Sequence, residues 1–255
     1  MWTPDRHRRI LTLLQQQLKV STEALAQDMG VSRETVRRDL IELEQGGRLS
    51  RVHGGAVSSQ GCFSPEPSYS ERAHAHRTEK LRIGHLAASL MRSGQSCFID
   101  AGSTTLALAQ HLSQLDHIRV VTNAVEVAAT LRRNPGIDVM LLGGRFESDV
   151  PATYGEQTIE EIARHRVDFA FVSPVAVDPC LGAMDYAWHE AAVARAMLQH
   201  SQSRVLLAHS AKLGQASRVQ VCALGAVDVL VCDQPLPDAL HQSLTQAGLS
   251  EIRHP

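Results

Sequence analysis

The chain has 255 residues, 44% of them hydrophobic, and a net charge of −2. That length holds two domains or one large one, and the apolar share excludes wholesale disorder. Aromatic residues make up only 4%, which disfavours recognition by rows of stacking rings, and no apolar run approaches the roughly 18 residues of a membrane span.

The opening MWTPDRHRRI lacks the apolar stretch of a secretory signal, so a cytoplasmic location is expected. Ile10, Leu11, Leu14 and Leu18 then recur at helical spacing after Pro4, which predicts a first helix. In VSTEALAQDMG, Ser21 or Thr22 caps a second helix, Glu23 sits in its first turn, and Gly30 offers a left-handed stop. Ser32 caps a third helix, RETVRRDLIELEQGG, which ends at Gly46-Gly47.

A helix-turn-helix needs a small residue where its helices cross, a turn glycine, and an apolar residue facing back. Ala26, Gly30 and Val36 meet these needs in order. On a helical wheel Val36, Leu40 and Leu43 share one side. Ser32, Arg33, Thr35, Arg37 and Arg38 form the polar arc near the helix start. Such residues suit phosphate oxygens and base edges, arginine suiting guanine especially. A solvated helix in another helical domain would show the same spacing. Residues 1–57 carry nine Lys/Arg against seven Asp/Glu, and the remainder sixteen against twenty, so the positive end is also where the arginines cluster. Next, GRLSRVHGGAV predicts a two-stranded wing with Arg51 and His53 near its tip, a pattern an ordinary hairpin also shows.

The stretch STEALAQDMGVSRETVRRDLIELEQGGRLSRVHGGAV resembles the DNA-binding domain of the DeoR family of bacterial transcription regulators, most closely in its R-R-D-L and H-G-G-A segments. The resemblance implies double-stranded operator DNA as a partner. The expected contacts are Thr22, Ser32, Arg33, Thr35, Arg37, Arg38, Arg51 and His53.

Residues 58–76 are polar, contain Pro65 and Pro67, and read as a linker with a helix entry near residue 77. His74 and His76 lack a third ligand nearby, so no metal site is expected. The five cysteines are scattered without a C-x-x-C, which fits reduced thiols. From residue 78 the apolar runs SCFID, IRVVTN, IDVMLLGG, DFAFVSPV, RVLLAHS and VDVLVCD alternate with helical patterns. This predicts an α/β domain over residues 77–255 with a mainly parallel sheet, whose ligands bind at carboxyl ends of strands.

Three strand ends carry chemistry. In FIDAGSTTLALAQ, Gly102 permits close backbone approach, and Ser103, Thr104 and Thr105 open a helix suited to phosphate, although a plain capped helix reads alike. No G-K-[ST] follows, so it is not a nucleotide P-loop. Thr122-Asn123 and Gly143-Gly144-Arg145 end two further strands, where a simple turn is the bland alternative. Glu190 begins a later helix. Lys212 follows a strand, placed to pair with a phosphate or with a buried carboxylate.

The order D-x-G-S-T-T, T-N, L-G-G, glutamate, S-x-K-x-G also resembles the DeoR effector domain, which is similar to the sugar-phosphate isomerase fold. It implies a phosphorylated sugar or polyol as effector, with Asp100, Gly102, Ser103, Thr104, Thr105, Asn123, Gly144, Arg145, Glu190 and Lys212 as its contacts. Two departures stand out. FVSPVAVDPCLG replaces a glycine-rich stretch, and His209 stands where the family commonly has aspartate. If His209 lines the pocket, its protonation near pH 6 would tighten anion binding.

Isomerisation needs a general base against a substrate C–H, and related isomerases use an acidic D-G-A-D-type segment. The matching SPVAVDP lacks it apart from Asp178, so neither an enzyme nor a cofactor is expected. The expectation is a DNA-binding repressor of a carbohydrate or related catabolic operon. It would act as a homo-oligomer, dimer or tetramer, because helix-turn-helix proteins usually bind repeated half-sites, with no membrane partner.

Overall fold

The apolar residues of the first segment collapse around Val36. The computed structural model describes residues 2–17, 19–45, 48–52, 54–58 and 66–255, and the chain divides into two compact units, residues 1–65 and 66–255. The first unit runs α1 (Thr3–Gln17), β1 (Lys19–Ser21), α2 (Thr22–Met29), α3 (Arg33–Gln45), β2 (Leu49–Val52) and β3 (Gly55–Ser58). Ile10, Leu14, Leu25, Met29, Val36, Leu40 and Leu43 meet in one buried cluster, as the helical spacing requires.

Local chemistry sets the turn between α2 and α3. The Ser21 hydroxyl accepts from the Ala24 N–H at 3.0 Å, and Gly30 closes α2 at φ 64°. The Ser32 hydroxyl accepts from the Thr35 N–H at 3.1 Å and caps α3. The wing differs from expectation. It is a three-stranded antiparallel sheet in the order β1-β3-β2, because residues 19–21 pair with β3. A Cβ on Gly55 would lie 2.1 Å from the Val20 carbonyl oxygen, so only glycine lets the two strands approach there.

The second unit begins at residue 66, inside the segment expected as a linker. Ser68 and Glu71 form a capping box that starts α4 (Tyr69–His74). The composition of residues 66–76 is linker-like, but a cap and a helix use those polar residues. Then come α5 (Arg77–Ala88), β4 (Ser96–Ile99), α6 (Ser103–Leu112), β5 (Ile118–Thr122), α7 (Val125–Leu131), β6 (Ile137–Leu141), α8 (Glu156–Ala163), β7 (Val167–Val172), β8 (Ala176–Asp178), β9 (Gly182–Asp185), α9 (Trp188–Gln199), β10 (Ser201–Leu207), β11 (Val219–Cys222), β12 (Val229–Val231), α10 (Asp238–Gln246) and β13 (Glu251–Arg253).

Seven strands form a parallel sheet in the order β13-β12-β10-β7-β4-β5-β6. Strand residues alternate between two cores. Cys97, Ile99, Phe171, Val205 and Leu207 pack with α5, α6 and α7. Phe98, Ala170, Val172, Leu206 and Leu230 pack with α8, α9 and α10. A small antiparallel sheet, β11-β9-β8, follows β7 in the stretch that departs from the family pattern.

The chain order opens a crevice in the sheet. From β4 the sheet grows through β5 and β6 to one edge, and from β7 through β10, β12 and β13 to the other. Strands β4 and β7 are neighbours, so the loops leaving their carboxyl ends diverge and leave a crevice between them.

Candidate functional site

The polar face of α3 is exposed. Ser32, Arg33, Arg37 and Arg38 lie on the surface, and Thr35 is half-buried with its hydroxyl 2.9 Å from that of Ser32. Thr22, Arg33, Arg37 and Arg51 line one groove, with Gly54 and Gly55 at the wing turn. His53 lies outside the described residues. Three of these arginines are already engaged: Arg33 with Glu23, Arg37 with Glu34 at 3.5 Å, and Arg51 with Glu44 at 2.8 Å. Exposed pairs of this kind contribute about 0–1 kcal/mol, so exchanging a carboxylate for a phosphate is a small step. Among the described residues Arg38 makes no ion pair. Its neighbour Asp39 is only 2% exposed and faces inward to Arg6.

In the second unit, a cavity of about 450 Å³ fills the crevice beyond β4 and β7. Of the expected effector contacts, Asp100, Gly102, Ser103, Glu190 and Lys212 line it, and His209 joins them. The first N–H groups of α6 have no intrahelical carbonyl to bond, and they open at Gly102 and Ser103. Lys212 reaches the same region. Its Nζ donates to the Pro174 carbonyl at 2.6 Å and to the Ser173 hydroxyl at 3.4 Å. A Cβ on Gly102 would stand 3.9 Å from that of Ser173, so loop and lysine share one corner.

The structure does not bring Thr104, Thr105, Asn123, Gly144 or Arg145 to the cavity lining. Thr104 and Thr105 are turned into the core one step further along α6, and the Thr105 hydroxyl bonds the Gly102 carbonyl at 2.8 Å. Asn123 is fully buried and donates to the Thr153 carbonyl at 3.1 Å, which fixes the segment carrying Tyr154. Gly144 has φ 148°, and a Cβ there would lie 2.5 Å from the Tyr154 carbonyl oxygen. Arg145 exchanges two backbone hydrogen bonds with Tyr154, at 2.9 and 2.8 Å, and its side chain is exposed. These last three residues position Tyr154, which does line the cavity.

Sequence reasoning missed Glu66, Arg72, His76, Lys80, Tyr154 and Asp185, all of which line the cavity. Lys80 carried a signal: it falls on the buried face of α5, with Ile83 and Ala87. Its Nζ donates to the carbonyls of Arg72 and Ala75, at 2.7 Å for Ala75, and so ties α5 to the end of α4. Arg72 pairs with Glu66 at 2.7 Å.

The cavity has an acidic wall and a basic wall. Burial, and then the charges of Asp185 and Glu190, hold Asp100 well above the usual carboxylate range. Burial and Glu190 push Asp185 up to about 7, and burial also raises Glu190. These groups accept from hydroxyls when ionised and donate when protonated, which suits a polyol. On the basic wall, burial lowers Lys80 and Lys212 to about 8. His209 is lowered to about 3 by burial and by Lys212, His76 and Lys80. Burial and the neighbouring cations thus work against the protonation near pH 6 expected of His209.

Residues 6–61 match the DeoR-like helix-turn-helix domain, and residues 75–234 match the DeoR C terminal sensor domain. The chain is 34% identical over 249 residues to the HTH-type transcriptional repressor GlcR of Bacillus subtilis, covering 98% of this chain and 95% of that one. It is 33% identical over 242 residues to the glycerol-3-phosphate regulon repressor of Escherichia coli, covering 94% and 95%. Among solved structures, ribose 5-phosphate isomerase A of Methanocaldococcus jannaschii is similar with a TM-score of 0.41 and 15% identity, over 54% of this chain and 55% of that one.

Proposed function

This chain belongs to the DeoR family of DNA-binding transcription regulators, and from that premise we propose that it represses a carbohydrate or related catabolic operon in response to a phosphorylated sugar or polyol. The observation that carries the effector half is the cavity corner where the α6 N-terminus and Lys212 meet, opposite Asp100, Asp185 and Glu190. Phosphate takes the amide groups at Gly102 and Ser103, with Lys212 as counter-charge. The hydroxyls take the carboxyl wall. Thr22, Arg33, Arg37, Arg38 and Arg51 meet the operator, Ser32 holds a phosphate at the start of α3, and Thr35 supports it. His53 belongs to the same proposed face.

Repeated half-sites call for a homo-oligomer. A chromosomal operator places the protein's work in the cytoplasm.

The test is fluorescence anisotropy of DNA fragments from around its own gene, with and without a panel of phosphorylated sugars and polyols. Some member of the panel is expected to shift operator affinity, and Ser103→Ala is expected to weaken that response while Thr104→Ala leaves it intact. An identical operator isotherm with every member of the panel would overturn the effector assignment.

A further inference from the structure

The cavity holds a second positive end that a single phosphate leaves unused. Lys212 serves the corner at Gly102, Ser103 and Ser173. Lys80 is a different case. It is 4% exposed, it bonds backbone carbonyls, and among the described residues it makes no ion pair. Glu79, one residue before it, faces His76 at 4.0 Å instead.

Beside Lys80 lie two imidazoles. His76 and His209 stack with ring centroids 4.3 Å apart and planes 21° apart. His209 is 8% exposed, and its Nδ1 is buried without a hydrogen-bond partner. A buried ring nitrogen without a partner is costly unless a ligand supplies one. His76 takes a left-handed backbone, φ 54°, at the start of α5, a conformation that a non-glycine residue rarely adopts. His76, Lys80 and His209 all line the one cavity.

An aspartate at position 209 would accept from a hydroxyl and repel an anion. An imidazole there offers an N–H to an oxygen and repels nothing. We propose that the effector is a phosphorylated sugar acid, with its phosphate on the Gly102–Ser103 corner and its carboxylate between Lys80 and the stacked His76 and His209. The charge count favours a carboxylate over a second phosphate. The end carries one unpaired ammonium and two imidazoles, and a phosphate would bring close to two negative charges. The inference rests on the effector reading above and narrows its ligand class.

The experiment is calorimetric titration of the full chain with matched probes: 6-phosphogluconate against glucose 6-phosphate, 5-phosphoribonate against ribose 5-phosphate, and fructose 1,6-bisphosphate. At least one acid is expected to bind about ten-fold or more tighter than its aldose phosphate partner and tighter than the bisphosphate, the range of one charge-assisted hydrogen bond. His209→Asp is expected to reverse that preference and His209→Asn to reduce it. Cooperative melting of both variants verifies that they fold. Retention of the acid preference in His209→Asp, or equal or tighter binding of the aldose phosphates or the bisphosphate by the unmodified chain, overturns the sugar-acid assignment alone. No binding of any phosphorylated probe overturns it together with the broader reading.

Discussion

Asp39 of α3 accepts two hydrogen bonds from Arg6 of α1, at 2.7 and 2.8 Å, and is 2% exposed. His7 adds a contact at 3.4 Å. The aspartate of the R-R-D-L stretch thus anchors the helix whose arginines face outward. Hydrogen bonds to a charged group contribute about 1.5–3 kcal/mol, and Asp39→Ala removes both of them. Asp39→Ala is therefore expected to loosen α1 against α3. Hydrogen exchange of peptides from residues 3–45 should rise by orders of magnitude. Unchanged protection there would show that the pair is incidental.

The two exposed arginines before it behave differently. Arg37 is drawn to Glu34 at 3.5 Å, whereas Arg38 makes no ion pair among the described residues. Arg38→Ala is expected to weaken operator binding by about 1–3 kcal/mol if it reads a base edge. Arg37→Ala should cost less, because Arg37 must first release its carboxylate. A phosphate-only role for either would appear as a shallower salt dependence, with a log-log slope smaller by about one and no change in sequence preference. Operator affinity unchanged in the double variant would remove α3 from the interface.

The face of α3 and six of the seven strands of the large sheet are legible, the first from helical spacing and the others from apolar runs. Val36, Leu40 and Leu43 fall on one side of a helix, and Cys97, Phe98 and Ile99 sit inside a continuous apolar run. Strands β1, β8, β9, β11 and β13 are not, because each is a short segment outside the long apolar runs and has no turn signature of its own. The cavity was half legible. Gly102, Ser103 and Lys212 follow strands, where parallel sheets bind ligands. Thr104 and Thr105 were over-read, since only the first residue of a helix start opens to the crevice. Arg72, Lys80 and Asp185 reach the cavity through tertiary placement of α4, α5 and β9, which no local pattern announces.

The carboxyl wall sets a pH dependence. Asp185 is held near 7 by burial and by Glu190, against an ordinary value near 3.8. A carboxylate whose folded value is raised is most compatible with the fold while protonated. Its contribution to stability is therefore present below about pH 4 and is lost as pH rises towards 7. Asp185→Asn removes that loss. The variant's melting temperature, relative to the unmodified chain, should climb from pH 5 to pH 8 in paired thermal scans. Lys212 opposes part of the gain, since it loses a nearby counter-charge. A difference that stays flat across that range would mean that Asp185 is ionised throughout.

The segment leading into the second unit is expected to belong to the binding site. Glu66, Arg72 and His76 line the cavity, and Lys80 bonds the carbonyls of Arg72 and Ala75. Tyr69 ties α4 to the body, bonding Asp149 through its N–H and Glu126 through its hydroxyl. A fragment of residues 66–255 should keep these contacts, fold, and bind effector with the affinity of the full chain. A fragment of residues 77–255 keeps α5 and the whole sheet but strips the buried Lys80 ammonium of both acceptors. A buried charge left unpartnered costs several kcal/mol, so the shorter fragment should melt lower and bind effector poorly. Paired melting curves and titrations of the two fragments decide the matter. Equal melting and equal affinity would mean that α4 is only a passenger and that the cavity is complete without it.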